Sequence, residues 1–110
     1  DGAGRGEGGV RTKNAARITP DESAHMAAVK SCCCVTCDAS PPTNAHHVVQ
    51  GDHYTTVSLC DPCHVGRMGI HGDQTMLRLR FKVGGIHGEI KAINETLRRV
   101  AALTIQRRAA

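Results

Sequence analysis

The sequence predicts a small α+β domain in which a β-hairpin lies between an N-terminal and a C-terminal helix. Three observations favour this class: a capped helix start near residue 19, two β-branched runs within residues 44–60, and helical spacing of apolar residues over 90–105. The chain has 110 residues with one Phe, one Tyr and no Trp, so large aromatic side chains contribute little to any core. We therefore expect the six cysteines and seven histidines to supplement hydrophobic burial.

The chain divides into two predicted regions. Residues 1–18 form a flexible, glycine-rich and basic arm, because five glycines in the first nine positions leave no apolar face to bury. A linker would have the same composition. Residues 19–110 form the predicted domain.

The first helix is predicted to begin at Pro20. Thr19 can cap it, Pro20 suits the first turn, and Glu22 completes a capping box. A helix of about ten residues should follow and end before the cysteines at positions 32–34. His25 falls on this helix, where packing or exposure to solvent is the simplest interpretation of an isolated histidine.

Two strands of a hairpin are expected over residues 44–50 and 54–60, joined by Gly51-Asp52-His53. After them, Asp61-Pro62 can open a short helix or a tight turn.

The segments after residue 74 are basic and apolar. Residues 75–83 are ambiguous, since apolar and basic residues alternate as in a strand, whereas the long unbranched side chains and Asp73 as a cap allow a helix. The last segment is predicted to be an amphipathic helix whose apolar stripe faces the core: Ile90, Ile93, Leu97, Val100, Ala101 and Ile105.

Two CxxC pairs predict one structural zinc site: Cys34 and Cys37, and Cys60 and Cys63. Zinc takes four thiolates in a tetrahedron, and a two-residue spacer lets one turn direct both sulfurs at the same ion. The register within Cys32-Cys33-Cys34 stays open, because Cys33 could replace Cys34. Redox motifs or disulfides are the alternative. Because no signal-peptide pattern opens the sequence, we expect a reducing compartment and favour metal.

Five histidines within 26 residues are more than a structural zinc site requires: His46, His47, His53, His64 and His71. Strand pairing should bring the end of the first strand beside the segment that follows Cys63. His46 and His64 can then converge on one divalent ion, while the adjacent His47 projects toward a different point.

This order of residues resembles the ββα-metal (HNH, or His-Me finger) nucleases, in which a hairpin and the following helix hold a metal ion. The resemblance is carried by CVTC, AHHVVQGDHYTTVSLCDPCH and GIHG. Together with TPDESAHMAAVKS, these stretches are most similar to the phage recombination-enhancement (Ref) nucleases, a RecA-dependent family. The similarity covers roughly residues 19–72.

The resemblance implies a metal-dependent DNA endonuclease that hydrolyses phosphodiester bonds, in a phage or prophage. It assigns His47 as the general base, and His46 and His64 as ligands of a catalytic magnesium or manganese ion. His71 would be a third ligand or a leaving-group contact. His53 stands where the family usually has Asn, and it could orient His47, contact the phosphate or supply a ligand.

The charge balance suits a polyanionic partner, because 14 Lys and Arg exceed 10 Asp and Glu and give a net charge of +4. Four basic residues are the predicted contacts to the DNA backbone: Arg67, Arg78, Arg80 and Lys82. The family also implies a host RecA filament as partner and the cytoplasm of a bacterial host as location. The apolar runs are only a few residues long, which excludes a transmembrane helix.

A non-catalytic zinc ribbon that binds nucleic acid or protein is the alternative hypothesis. The two hypotheses differ at His47, because a binding module would tolerate its loss and a nuclease would not.

Overall fold

A computed structural model describes residues 17–109, which form a small α+β arrangement of helices around one two-stranded sheet. The elements in chain order are helix α1 (Pro20–Lys30), strand β1 (Asn44–His47), strand β2 (Thr56–Leu59), and helices α2 (Asp61–Val65), α3 (Thr75–Phe81) and α4 (Gly85–Ala109). This confirms the predicted class. All but the last two residues of the predicted arm, 1–18, lie outside the described residues.

Helix α1 begins where the sequence predicts. The Thr19 hydroxyl accepts a hydrogen bond from the Glu22 N–H at 3.1 Å, and the Glu22 carboxylate accepts one from the Thr19 N–H at 2.8 Å. This reciprocal pair satisfies two backbone donors that the first turn leaves without partners. At the other end of the helix, the Thr43 N–H donates to the Lys30 carbonyl at 3.0 Å, which ties α1 to the start of the hairpin.

The two strands pair antiparallel, with His46 opposite Val57 and His47 opposite Thr56. Both strands are shorter than predicted, because residues 48–55 leave the ladder as a loop. Gly51 adopts a positive φ of 84° there, and the Asp52 carboxylate accepts a hydrogen bond from the Tyr54 N–H. Such glycine and aspartate conformations favour a turn over a continued strand.

The core lies where α4 packs against β2 and against α3. Val57, Leu59, Leu77 and Ala92 are almost completely buried there. Thr96 is also fully buried, and its hydroxyl accepts from the Ser58 N–H at 3.3 Å and donates to the Ala92 carbonyl at 2.9 Å. This polar side chain therefore has partners inside the core, as a buried hydroxyl requires.

The ambiguous segment is a helix rather than a strand. The Asp73 carboxylate accepts from the N–H and the hydroxyl of Thr75, which stabilises the first turn of α3. Of the alternating apolar residues, Leu77 is buried, whereas Leu79 is 64% exposed. A strand would bury both Leu77 and Leu79, because they are two residues apart. A short helix that packs against α4 buries only one of the two.

Helix α4 forms as predicted, but the prediction of its buried face is only partly right: Ile93 packs against the core, whereas the most buried positions of the helix are other residues. Gly88, Ala92 and Thr96, spaced by four, make the buried face, whereas Ile90 and Leu97 are 46% and 41% exposed. Small residues occupy this face because the neighbouring segments approach closely: a Cβ on Gly88 would lie 2.3 Å from the Val83 carbonyl oxygen. Within residues 17–109, no helix combines the length and apolar character needed to cross a membrane.

Candidate metal centres

Four thiols meet at one point and are called here the four-cysteine cluster: Cys34, Cys37, Cys60 and Cys63. Their sulfurs all lie within 4.8 Å of one another, and the Sγ atoms of Cys37 and Cys60 are 3.5 Å apart. Sulfurs held at about 2.3 Å by a tetrahedral zinc ion are about 3.8 Å apart. The cluster therefore has the donor type, number and spacing to hold one structural zinc ion.

The two CxxC pairs are built differently. The first is a turn in which the Cys34 carbonyl accepts from the Asp38 N–H at 2.8 Å, and the second begins α2, with Cys60 as the N-cap residue. Of Cys33 and Cys34, the two candidates for the first ligand, Cys34 is the one whose thiol belongs to the cluster. The Cys33 thiol is exposed and lies outside it. The Cys32 thiol instead donates to the Ala28 carbonyl.

The thiols of this cluster differ in acidity. Burial raises the pKa of Cys34, but hydrogen bonds from Thr36 and from the backbone of Cys60 outweigh it and lower that pKa to about 6. Burial raises the pKa of Cys60 and of Cys63. Metal binding therefore has to displace protons from thiols whose pKa burial raises, Cys60 and Cys63.

Asp38 and Arg99 anchor the first CxxC turn to the helices, which the sequence did not reveal. The Asp38 carboxylate accepts from Arg80 at 3.1 Å and from Arg99 at 3.0 Å. Arg99 also donates to the Cys34 carbonyl at 3.2 Å and to the Glu95 carboxylate at 2.9 Å. Asp38 has a φ of 64°, a conformation that Asp tolerates better than most residues. The sequence signal for this anchor was Asp38 itself, an acidic residue directly after the first CxxC pair.

Three imidazoles form a second group, the three-histidine cluster: His46 from β1, His64 from α2 and His71 from the loop after α2. One ring nitrogen of each lies within 4.8 Å of the others, and the Nε2 atoms of His64 and His71 are 3.2 Å apart. Nitrogens held at about 2.1 Å by a tetrahedral ion are about 3.4 Å apart. The three residues can therefore share one ion and leave at least one coordination position open.

Backbone hydrogen bonds hold the His71 loop against α2. The Ile70 N–H donates to the Cys63 carbonyl at 2.8 Å, and the His71 N–H donates to the His64 carbonyl at 3.1 Å. This close approach requires glycine, because a Cβ on Gly69 would lie 2.6 Å from the carbonyl oxygen of Cys63. The glycines of the GIHG motif at residues 69–72 therefore allow His71 to lie beside His64.

The surroundings of the three-histidine cluster favour the neutral form of His46 and of His64. Burial and the nearby His71 and His64 together lower the pKa of His46 to about 4, with burial the largest cause. Burial also lowers the pKa of His64. At pH 7 both rings therefore offer a lone pair to a metal ion without first losing a proton.

His47 belongs to a separate histidine pair with His53. The His47 Nε2 atom lies 2.9 Å from the His53 Nδ1 atom, and the two rings are nearly perpendicular. Adjacent strand residues point to opposite faces, so His47 leaves β1 on the other side from His46. Of the three roles open to His53, the structure places it as a hydrogen-bond partner of His47, and it lies outside the three-histidine cluster.

The predicted DNA contacts differ in their surroundings. Arg80 is paired with Asp38, and the Lys82 ammonium donates to the Leu79 carbonyl at the end of α3. Arg67 and Arg78 are exposed, and within residues 17–109 neither forms a salt bridge. These two side chains are therefore better placed to meet a phosphate than Arg80.

His25 lies outside both clusters. Its ring packs against that of Tyr54 at a centroid distance of 5.2 Å, and its buried Nε2 atom has no hydrogen-bond partner among residues 17–109. Burial lowers its pKa. The packing interpretation of this residue is the one that the structure supports.

Comparison of the chain with family models, with curated proteins and with solved structures finds no match. The resemblance to the HNH and Ref nucleases therefore stays a prediction, and a function has to rest on the chemistry of the described residues.

Proposed function

We propose that this protein is a metal-dependent endonuclease of the HNH type that hydrolyses phosphodiester bonds in DNA. One observation carries the proposal: an open three-histidine cluster and a hydrogen-bonded histidine pair start from adjacent residues, His46 and His47, on one strand. A zinc site that only stabilises a fold needs neither of these groups.

The order of the elements supports the same proposal. Strands β1 and β2 form a hairpin and helix α2 follows directly, so the segment from Asn44 to Val65 has the β-β-α order of these nucleases. His46 and His47 lie on its first strand and His64 lies on its helix. The four-cysteine cluster fixes the beginning of that helix, because two of its members are Cys60, the N-cap residue of α2, and Cys63, in the first turn of α2.

The three-histidine cluster is the proposed site for the catalytic ion. A divalent ion bound there would polarise a phosphate oxygen and stabilise the negative charge on the departing 3′ oxygen. His46 is only 8% exposed and fixes one coordination position, whereas His71 is exposed. The cluster thus has one side embedded in the fold and one side open to a substrate.

His47 is the proposed general base. In the tautomer in which His47 Nε2–H donates to His53 Nδ1, the Nδ1 atom of His47 carries the lone pair that would take a proton from the attacking water. The water oxygen bonds to phosphorus, the bond from phosphorus to the 3′ oxygen breaks, and solvent protonates the departing oxygen. His53 is then a positioning residue that fixes the ring and the tautomer of His47.

Contacts to the DNA backbone would come from exposed basic residues. Arg67 follows α2, which carries His64, and Arg78 lies on the exposed side of α3. Such contacts hold any DNA sequence and weaken with added salt. A recombinase filament as partner and a bacterial cytoplasm as location stay predictions from the resemblance.

A non-catalytic zinc ribbon is the second candidate. The four-cysteine cluster is complete by itself and would serve that function equally well. The ribbon hypothesis gives no role to His71 or to the histidine pair, which is why we favour the nuclease.

The test is conversion of supercoiled plasmid to nicked or linear DNA, with Mg²⁺, Mn²⁺ and Co²⁺ assayed in parallel. We expect His47→Ala to lower the rate at least about 100-fold, the low end for a lost general base. His87→Ala is the matched control, because His87 is an exposed histidine on α4 outside both clusters. It should cleave like the parent.

Zinc content and circular dichroism establish that each variant is folded. Equal rates for His47→Ala and the parent would refute the base assignment. A folded parent that binds both ions and cleaves with none of the three metals would favour the zinc ribbon.

A further inference from the structure

We propose that the three-histidine cluster selects first-row transition ions and does not retain magnesium, in contrast to the magnesium that the family resemblance implies. The catalytic meaning of this selectivity rests on the proposed function. The selectivity itself follows from the donor atoms and can be measured without any substrate.

The donor set contains nitrogen only. His46, His64 and His71 each contribute one ring nitrogen, and within residues 17–109 no carboxylate oxygen joins the group. Mg²⁺ is a hard ion that takes oxygen ligands and gives up its water reluctantly. Imidazole suits Zn²⁺, Cu²⁺, Ni²⁺ and Fe²⁺, whose affinities for such sites follow the Irving–Williams order.

The carboxylates that flank the cluster in sequence are engaged elsewhere. Asp61 begins α2 three residues before His64, and it accepts a hydrogen bond from the Asn44 side chain at 2.7 Å. Asp73 follows His71 by two residues, and it accepts from the backbone and hydroxyl of Thr75. Each carboxylate stabilises the end of a secondary-structure element, and among residues 17–109 neither contributes an oxygen to the group of close donor atoms.

The cluster is also held in a fixed geometry. His46 is buried on β1, and the loop that carries His71 is hydrogen-bonded to the α2 backbone at Cys63 and His64. The 3.2 Å between the Nε2 atoms of His64 and His71 is close to the spacing that a transition ion imposes. A buried, positioned imidazole is difficult to exchange for the water ligands that Mg²⁺ prefers.

Calorimetric titration tests the inference on protein whose four-cysteine cluster already contains one equivalent of zinc. ZnCl₂, CoCl₂, MnCl₂ and MgCl₂ are added separately under reducing conditions and without DNA. We expect one further site with affinity in the order Zn²⁺, Co²⁺, Mn²⁺. Magnesium should bind at least about tenfold more weakly than manganese.

Two substitutions at His71 assign that site. His71→Ala should weaken the second zinc at least about tenfold, since loss of a direct ligand costs no less than loss of a supporting contact. His71→Asp replaces a nitrogen donor with oxygen and should narrow the preference for Zn²⁺ over Mg²⁺. His87→Ala should bind all four ions like the parent.

Each result decides one proposal. Magnesium that binds as tightly as manganese would overturn the selectivity, and so would a second zinc whose affinity is the same in His71→Ala. Selective zinc binding in a protein that cleaves no DNA would support the selectivity and refute the nuclease. Retention of the first zinc shows that a variant is folded in every case.

Discussion

The two clusters meet at one short helix, α2, to which each contributes one residue, yet they differ in what each can do. Cys63 and His64 are consecutive residues of α2, but Cys63 is 4% exposed and completes a set of four donors, whereas His64 belongs to a set of three with the exposed His71. Four thiolates fill a tetrahedron, and three imidazoles do not. One helix thus joins a set of donors that would be closed by a structural ion to a set that would stay open, which is the position we propose for a substrate.

The dependence between the clusters runs in one direction. The His71 loop is hydrogen-bonded to the backbone of Cys63 and His64, so its position depends on α2, whose start is fixed by Cys60 and Cys63. Among the described residues, this loop contacts the four-cysteine cluster by a backbone hydrogen bond at the Cys63 carbonyl, which leaves the four sulfurs in place for metal. Damage at the cysteines should therefore disrupt both sites, and damage at the histidines should disrupt one.

The largest effect is expected from Cys60→Ser. Zinc contributes on the order of 10 kcal/mol to folding in zinc-finger peptides, which is comparable with the whole stability of a typical domain. Loss of this ligand should therefore lower zinc content and unfold the chain, as measured by zinc analysis and circular dichroism.

The matched variant is His64→Ala, four residues later on the same helix. We expect it to keep the first zinc and the helical signal while it loses the second ion and plasmid cleavage. If His64→Ala unfolds as Cys60→Ser does, the histidines are structural and the comparison fails. A stable, zinc-free Cys60→Ser protein would equally contradict the role of the cysteines.

A smaller effect is expected from Gly72→Ala. The added Cβ would lie 2.1 Å from the Arg67 carbonyl oxygen, so the loop has to move, at a cost of about 1–3 kcal/mol in the free energy of unfolding. Because His71 precedes Gly72, affinity for the second ion should fall as well. Chemical denaturation and the calorimetric titration measure the two effects.

Gly85→Ala is the control for that substitution. Gly85 has a φ of 61°, and no atom of the part of the chain that the structure describes lies within 4 Å of the added Cβ, so we expect a loss of about 1–2 kcal/mol from backbone strain alone. Its affinity for the second ion should equal that of the parent. Unchanged metal affinity in Gly72→Ala would show that the loop does not fix His71.

Local signals were sufficient for part of the fold. The capping box at Thr19 and Glu22 and the two CxxC pairs act over a few residues, and the structure has both the helix and the four-cysteine cluster. The buried face of α4 could not be predicted from such local signals. Its buried residues are small because β2 and α3 come close, so the large apolar residues indicated the helix but not the side that packs.

The candidate site shows the same limit. His71 is seven residues from His64, and only the hydrogen bonds of its loop to α2 bring the two rings together. The partner of His53 likewise depends on how the 48–55 loop folds back on β1. Asp38 and Arg99 are 61 residues apart in sequence, so no local pattern could have predicted their ion pair.

Stepwise removal of metal from the fully loaded protein, followed by metal analysis, circular dichroism and plasmid cleavage, tests the division between the two sites most directly. We expect a mild chelator to remove one ion per chain and abolish cleavage while the helical signal stays unchanged. A stronger chelator should then remove the second ion and unfold the chain. Cleavage that survives loss of the first ion, or simultaneous loss of both ions and the fold, would contradict this division.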